Sequence, residues 1–384
     1  MKAIIPAAGE GTRLRPHTFT CPKPMIPIAN KPAMDYQIAT LKKLGIDEII
    51  IITGYKKEEL INFIKSRNYG VNIRFIEQKN QLGIAHAILQ AKNFIKEDFI
   101  VLLGDTIFDA DLRSVLELHK KTKAYATLSV EKAEDPSKFG VVIQDNGNVR
   151  KLLEKPKAPP SNLVITGFYI FNPLILEFIK KTKKGPKGEY EITDAIQQML
   201  EAGNQISCLE LTGKRFDVGR PEHLLRANTN FLAHIKNKNL AIGKPKISGK
   251  ADIGKNTRIV GRVNLIGNVS IGENCVIGPN TEIINSSIQD GCEIKNTYLS
   301  TSMIQKNSVI EYYGRIMESI IGKNCVLIRQ VKRKGVKGRI IGIVRKTIGH
   351  FRKKYGLKTA FFLSDESQVI IGQEKLDTEE FKKK

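Results

Sequence analysis

The sequence predicts an α/β fold, a doubly wound and mostly parallel sheet, followed by a β-solenoid of six-residue repeats. Three observations carry that expectation. Residues 1 to about 235 alternate short β-branched or aliphatic runs with segments whose apolar residues recur every three or four positions, the signature of strands alternating with amphipathic helices. From about residue 245 the period changes, and Ile253, Ile259, Leu265, Ile271, Ile277 and Ile283 recur every six. At 384 residues the chain exceeds the size at which one core keeps growing, so two domains are expected.

In chain order, strands are predicted from Ala3 to Pro6, Glu48 to Thr53, Ile73 to Glu77, Phe99 to Leu103 and Ala126 to Glu131, bounded by Gly, Asp or Asn. Helices are predicted from Asp35 to Leu44, Lys57 to Ser66, Ile84 to Asn93 and Leu112 to Thr122, on both faces of the sheet. In residues 245–330 a second register continues with Ile288 and Ile294, then Ile304, Ile310 and Ile316, then Ile321 and Leu327. A six-residue period turns one aliphatic per side of a triangular coil inward, with Gly or Asn at the corners supplying left-handed backbone. Gly254, Gly272, Gly278 and Gly322 follow such aliphatics. One coil cannot bury its own face, so coils must stack, and oligomerisation through this region is expected. In the closing part, 331–384, Ile340, Val344, Ile348, Phe351 and Tyr355 share a helical face in a basic surround. That is a basic amphipathic helix candidate, packed on the solenoid or in weak contact with an anionic surface. A closing strand from Phe361 to Ile371 and a charged tail from Glu374 complete the chain.

Composition narrows the function classes. Hydrophobic residues at 41% and charged residues at 26% exclude a disordered chain. No apolar run is long enough to span a bilayer, and the strand-like Lys2-Ala3-Ile4-Ile5 leaves no charged leader, so a cytoplasmic protein is expected. Five cysteines without CxxC spacing suggest neither a disulfide framework nor a zinc site. The net charge of +23 is unevenly spread: eleven Lys or Arg and no acid lie between Val331 and Lys358. A groove for nucleic acid along the whole protein is therefore not implied.

The strongest chemical signal is Pro6-Ala7-Ala8-Gly9-Glu10-Gly11-Thr12-Arg13-Leu14-Arg15-Pro16, followed by Pro22-Lys23-Pro24. A strand that runs into a small-residue loop presents several backbone N–H groups in a concave array, which suits a polyphosphate. The Arg13 fork can bridge two phosphate oxygens, and Lys23 offers a movable point charge. Asp105 after Val101-Leu102-Leu103-Gly104 and Asp217 in Arg215-Phe216-Asp217-Val218-Gly219 fall at strand ends, where α/β sheets place ligands. Their carboxylates are the hard oxygen ligands Mg²⁺ prefers. Turn or cap roles are the alternative for both acids.

This constellation resembles the sugar-1-phosphate nucleotidylyltransferases, whose hallmark is the loop GxGTRLxP with a lysine about ten residues on. Further matches are Glu77-Gln78 with Leu82-Gly83-Ile84-Ala85-His86-Ala87, Leu103-Gly104-Asp105, Leu153-Glu154-Lys155-Pro156, Thr166-Gly167-Phe168-Tyr169, Glu189-Tyr190-Glu191-Ile192-Thr193-Asp194 and Phe216-Asp217-Val218-Gly219. The likeness is closest to the long thymidylyltransferase form, in which a Rossmann-like nucleotidyltransferase domain, here 1–235, precedes a left-handed parallel β-helix, here 245–330. It implies that Ala7, Ala8, Gly9, Gly11, Thr12 and Arg13 hold a triphosphate, that Arg13 and Lys23 stabilise the transferring phosphoryl group, and that Gln78 and Gly83 read the base. It further implies Mg²⁺ on Asp105 and Asp217, sugar hydroxyls on Gly140 and Glu154, the sugar phosphate on Lys155, and a pocket completed by Thr166, Gly167 and Tyr169, with Glu191 and Asp194 behind. His86, on the helix after Gly83, needs no catalytic role. The expected reaction joins dTTP and glucose 1-phosphate into dTDP-glucose and pyrophosphate. Ala8 and Pro24 are spellings more like the uridylyltransferases, which makes UTP the alternative nucleotide.

Two further readings have distinct sequence requirements. Some relatives transfer acetyl groups with a β-helix histidine as base, whereas residues 253 to 327 contain no histidine, so the solenoid is read as an oligomerisation or regulatory domain. Noncatalytic subunits of a translation-initiation exchange factor resemble the same two-domain build. A pure scaffold needs none of Arg13, Lys23, Asp105 and Asp217.

Overall fold

Successive side chains of the first strand, Lys2–Pro6, enter different cores: Ala3 and Ile5 pack on one face of a sheet and Ile4 on the other, all fully buried. That alternation makes the sheet two-sided. The structure, a computed structural model, describes residues 1–186 and 188–329 and the strands Ile341–Gly342, Phe362–Leu363 and Gln368–Ile371. It divides into two units, one of Met1–Gly11, Cys21–Ile26 and Pro32–Asp217, the other of Thr12–Thr20, Pro27–Lys31 and Val218 onward.

The first unit is built on nine strands in the order Asn72–Glu77, Glu48–Thr53, Lys2–Pro6, Phe99–Leu102, Leu163–Phe171, Ala126–Lys132, Ile206–Glu210, Asn148–Glu154 and Gly140–Asp145. The first four are mutually parallel. Leu163–Phe171 runs antiparallel to both of its neighbours, and the last two strands form an antiparallel hairpin across the Asn146-Gly147 turn, where both residues have positive φ. The sheet is therefore mixed, where the sequence predicted a mostly parallel one. A two-residue left-handed turn returns the chain beside itself and so forces antiparallel pairing.

Helices α1 (Ala33–Lys43), α2 (Lys57–Lys65) and α4 (Arg113–Thr122) cover one face through Met34, Ile38, Leu41, Leu60, Ile64 and Val115. Helices α3 (Ile84–Gln90), α5 (Ile175–Lys181) and α6 (Ile192–Glu201) cover the other through Ala85, Ile88, Ile175, Ile179, Ile196 and Met199. The three- and four-residue spacing of these side chains makes one apolar stripe per helix, and each large one contributes about 1.5–3 kcal/mol by burial. No helix among the described residues is long and apolar enough to cross a membrane.

In the second unit three parallel ladders run through the aliphatics of both registers. Leu265 pairs with Ile283, then Leu299 and Ile316; Ile271 pairs with Ile288, then Ile304 and Ile321; Ile277 pairs with Ile294, then Ile310 and Leu327. All of these side chains are buried. Left-handed corner backbone falls largely on asparagines, among them Asn256, Asn274, Asn280, Asn296, Asn307 and Asn324, and on Gly278. Asn tolerates this region through local side-chain hydrogen bonds.

The ladders also stack polar side chains inward. Ser286, Ser302 and Ser319 each donate at 2.7 Å to the carbonyl two residues back, and the Ser286 and Ser302 hydroxyls accept the backbone N–H of Ser302 and Ser319. Cys275 and Cys292 donate to the carbonyls of Gln289 and Gln305. Burial pushes the Cys275 thiol up and the Cys292 thiol up to about 12, so both stay protonated. Helix α7 (Pro221–Leu232) lies in this unit, where Asn228 Oδ1 accepts from Ala29 N and Ser287 Oγ. Within the expected helix from Arg339 to Tyr355, the two described residues Ile341–Gly342 instead form a strand antiparallel to Gln368–Ile371. The remainder of the basic segment 332–358 and the tail from Glu374 lie outside the described residues.

Candidate functional site

The site is organised by the ends of the parallel strands. Pro6 closes the first strand, and the chain then bends past its neighbours: Ala7 N donates to Ile52 O, Tyr55 N to Ala8 O and Gly104 N to Pro6 O. Ala7 and Ala8 are buried, while Gly9 and Glu10 are exposed and Gly11 has φ +64°. Gly104 is obligatory here, since a Cβ on it would stand 2.3 Å from Pro6 O. That close approach brings the loop carrying Asp105 against the strand exit. Thr12 and Arg13 open a 3-10 turn, Thr12–Leu14, and are both exposed; they group with the second unit.

Lys23 begins the 3-10 turn Lys23–Met25, and its Nζ lies 2.7 Å from Asp105 Oδ2. The lysine side chain is 14% exposed and the carboxylate 42%. Burial opposes ionisation of Asp105, but the Lys23 charge and hydrogen bond, with Arg215 assisting, hold the carboxyl below the usual carboxylate range. The carboxylate is therefore ionised at neutral pH. Strand Gly213–Asp217 pairs antiparallel with Thr106–Ala110, and the register sets Asp217 across from Thr106, one residue from Asp105. Two acids far apart in sequence thus share one end of one ladder. Among the described residues no group of three or more His, Cys, Asp or Glu forms a metal cluster.

A second cluster surrounds Gln78, which is 4% exposed. Its Nε2 donates to Gly83 O at 3.1 Å and lies 2.8 Å from His86 Nδ1. Gly83 has φ +96°, and a Cβ there would meet Tyr190 O at 2.7 Å. The loop is tied down by Tyr190 N to Leu82 O and Ala85 N to Tyr190 O. The His86 ring stacks on Tyr190 at 6.3 Å, and burial, then the Lys184 charge, lower its pKa below the ordinary imidazole value.

The third cluster is acidic. Gly140 and Glu154 face each other in the terminal hairpin, and Thr193 Oγ1 donates to Glu154 Oε2 at 2.9 Å. Lys155, with φ +43°, pairs with Glu154 and lies 4.0 Å from Glu191. Burial and then the Glu154 charge raise both Glu191 and Asp194. Burial works against the Lys155 ammonium, but Glu154, Glu191 and Glu189 outweigh it and raise its pKa. Thr166 and Tyr169, expected in the pocket wall, are both buried, at 1% exposed. Thr166 shares a hydrogen bond with Ser129, and Tyr169 stacks on Phe171 at 5.5 Å in the core. Gly167, with φ +93°, accepts from Leu103 N on the Asp105 loop.

Sequence reasoning passed over three contributors. Arg215 is 10% exposed, pairs with Glu131, lies over the Phe139 ring at 5.1 Å and adds its charge to the field at Asp105; only its neighbour Asp217 had a legible signal. Gly104 reads as an ordinary loop glycine. His86 has a local role, holding Gln78, that a lone histidine on a helix does not advertise.

The Nucleotidyl transferase family matches residues 2–234. The chain is 38% identical over 330 residues to "Low-salt glycan biosynthesis nucleotidyltransferase Agl11" of Haloferax volcanii, covering 84% of this chain and 92% of that one. It is 40% identical over 225 residues to "UTP--glucose-1-phosphate uridylyltransferase AglF" of the same organism, covering 58% and 93%. A solved structure of a candidate glucose-1-phosphate thymidylyltransferase from Bacillus anthracis, in complex with a sucrose, matches with TM-score 0.56 and 33% identity, covering 62% of this chain and 97% of that one. With a strand-exit loop, a lysine–aspartate pair and a second acid at the strand ends, matched across more than half its length, the chain belongs to the nucleotidyl transferase family.

Proposed function

We propose that this chain transfers the nucleotidyl group of dTTP or UTP to glucose 1-phosphate, releasing pyrophosphate. The observation that carries the reading is the Lys23 ammonium held 2.7 Å from Asp105 beside the Pro6 strand exit, with Asp217 across the ladder. Those groups would meet a nucleoside triphosphate where its negative charge is greatest. In this reading Ala7, Ala8, Gly9, Gly11 and Thr12 cradle the phosphates, while Arg13 and Lys23 neutralise charge on the α-phosphoryl group. A phosphate oxygen of the sugar 1-phosphate attacks the α-phosphorus in line, and the bond to the pyrophosphate oxygen breaks. The attacking monoester is already ionised, so no general base is needed, and catalysis comes from positioning and charge neutralisation.

Asp105 and Asp217 fit a divalent cation, being two hard carboxylates at one ladder end, and substrate phosphates would complete its shell. Bound Mg²⁺ would supply further neutralisation of the triphosphate. Gln78 and Gly83 read the base, Gly140 and Glu154 the sugar hydroxyls, and Lys155 the sugar phosphate. Thr166, Gly167 and Tyr169 support that pocket from the core side. Residues 1–235 form the catalytic domain and 245–330 a left-handed β-helix through which copies associate, with 331–384 as its appendage; the three parallel ladders support this reading. The name of the Haloferax volcanii uridylyltransferase supports UTP, and the Bacillus anthracis neighbour supports dTTP.

Pyrophosphate release from the purified chain with Mg²⁺, across dTTP, UTP, CTP, GTP and ATP against glucose, galactose, mannose and N-acetylglucosamine 1-phosphates, tests the proposal. Release should peak at dTTP or UTP with glucose 1-phosphate. A peak elsewhere in the grid would overturn the substrate assignment, and silence throughout would favour the noncatalytic subunit.

A further inference from the structure

The orientation of the Gln78 amide is fixed by its partners. Gly83 O can only accept, so the group 3.1 Å from it must be the amide nitrogen. The same nitrogen stands 2.8 Å from His86 Nδ1, which engages the second amide hydrogen only if Nδ1 carries a lone pair. Gln90 Nε2, itself fixed by donation to His86 O at 3.0 Å, is 3.2 Å from His86 Nε2. A neutral imidazole has one acceptor nitrogen, and the shorter contact assigns it to Nδ1. With both hydrogens engaged inside the protein, the acceptor Oε1 is what Gln78 can offer a base.

Resting on the reading that Gln78 faces the nucleotide base, we propose that His86 is the positioning residue that turns the Gln78 carbonyl toward the base and so selects uracil or thymine over cytosine. Uracil and thymine present an imino N–H where cytosine presents a lone pair. A lone pair facing Oε1 leaves two acceptors opposed in a desolvated site, and mismatches of this kind discriminate more strongly than a missing methyl does. Protonation of His86 removes the acceptor and releases the amide. The titratable and charged groups around the ring are Lys184 and Tyr190 from the facing segment and Glu189 beside Gly83; burial and Lys184 keep His86 neutral at ordinary pH.

The test is the ratio of kcat/KM for UTP to that for CTP, with glucose 1-phosphate and Mg²⁺, in the native chain, His86→Leu and His86→Asn. His86→Leu should lower the ratio by about tenfold. His86→Asn, whose Oδ1 can take the place of Nδ1, should restore most of it. In the native chain the ratio should fall as pH drops below the ordinary imidazole range and stay flat in His86→Asn. An unchanged ratio in His86→Leu, or an equal fall in both variants, would overturn the proposal, the latter marking His86 as mere packing. Silence of the native chain with every nucleotide would instead remove the base-site reading beneath it.

Discussion

Lys23, Asp105 and Gln78 are each held by an arrangement that occurs once, whereas Ser286, Ser302 and Ser319 repeat one arrangement three times. In the first unit Asp105 and Gln78 sit just past strand ends, and Lys23 reaches Asp105 there, where, against burial, its charge lowers the proton affinity of the carboxylate. In the second, successive ladder strands reuse one arrangement, the Ser286 and Ser302 hydroxyls each accepting the backbone N–H of the serine just before the next strand. Unrepeated polar geometry is a better pointer to chemistry than burial or charge alone.

The comparison breaks first at Lys23. On the proposed reading, replacing it with Ala removes a charge that acts at the transferring phosphoryl group, and kcat should fall by about 10³-fold with the nucleotide KM nearly unchanged. Steady-state kinetics with equal losses in both would show Lys23 to be a binding residue instead. In the ladders the prediction is equivalence: Ile288→Ala and Ile304→Ala, adjacent rungs of one face and both buried, should each cost about 3 kcal/mol in urea denaturation. A difference between them well above about 1 kcal/mol would mean that the rungs are not energetically alike. Ser302→Ala is the mildest of these changes. It strands the Ser319 N–H, which the hydroxyl accepts at 3.1 Å, and should cost about 1–2 kcal/mol; a neutral result would mean that water or another rung replaces the bond.

The same contrast explains what the sequence made legible. The aliphatics spaced by six are the buried ladder rungs, because a periodic structure writes its contacts into its period. The strands Glu48–Thr53 and Lys2–Pro6 and the helices Ala33–Lys43, Lys57–Lys65 and Arg113–Thr122 emerge within a residue or two of the pattern, while the helix expected from Ile84 to Asn93 ends three residues early, at Gln90. Strand Leu163–Phe171 was not foreseen at the centre of the sheet, since a run buried at all nine positions carries no sign of direction or partner. Asp105 and Asp217 stood out as strand-end acids, but their meeting depends on the pairing of Gly213–Asp217 with Thr106–Ala110, which no local signal encodes. Tyr169 shows why a motif match needs the structure beside it: its ring stacks on Phe171 in the core while the Glu154 and Asp105 charges reach its hydroxyl.

In-register stacking also bears on how such a chain can change length. Each coil meets the next through like residues, Ile on Ile and Ser on Ser, so removing or duplicating one whole coil rejoins surfaces that already match. Removing a single six-residue side would instead turn every later rung by one face. Single-residue changes are absorbed between the rungs as well, because Leu265, Ile283, Leu299 and Ile316 stay paired in turn although their sequence separations are 18, 16 and 17 residues.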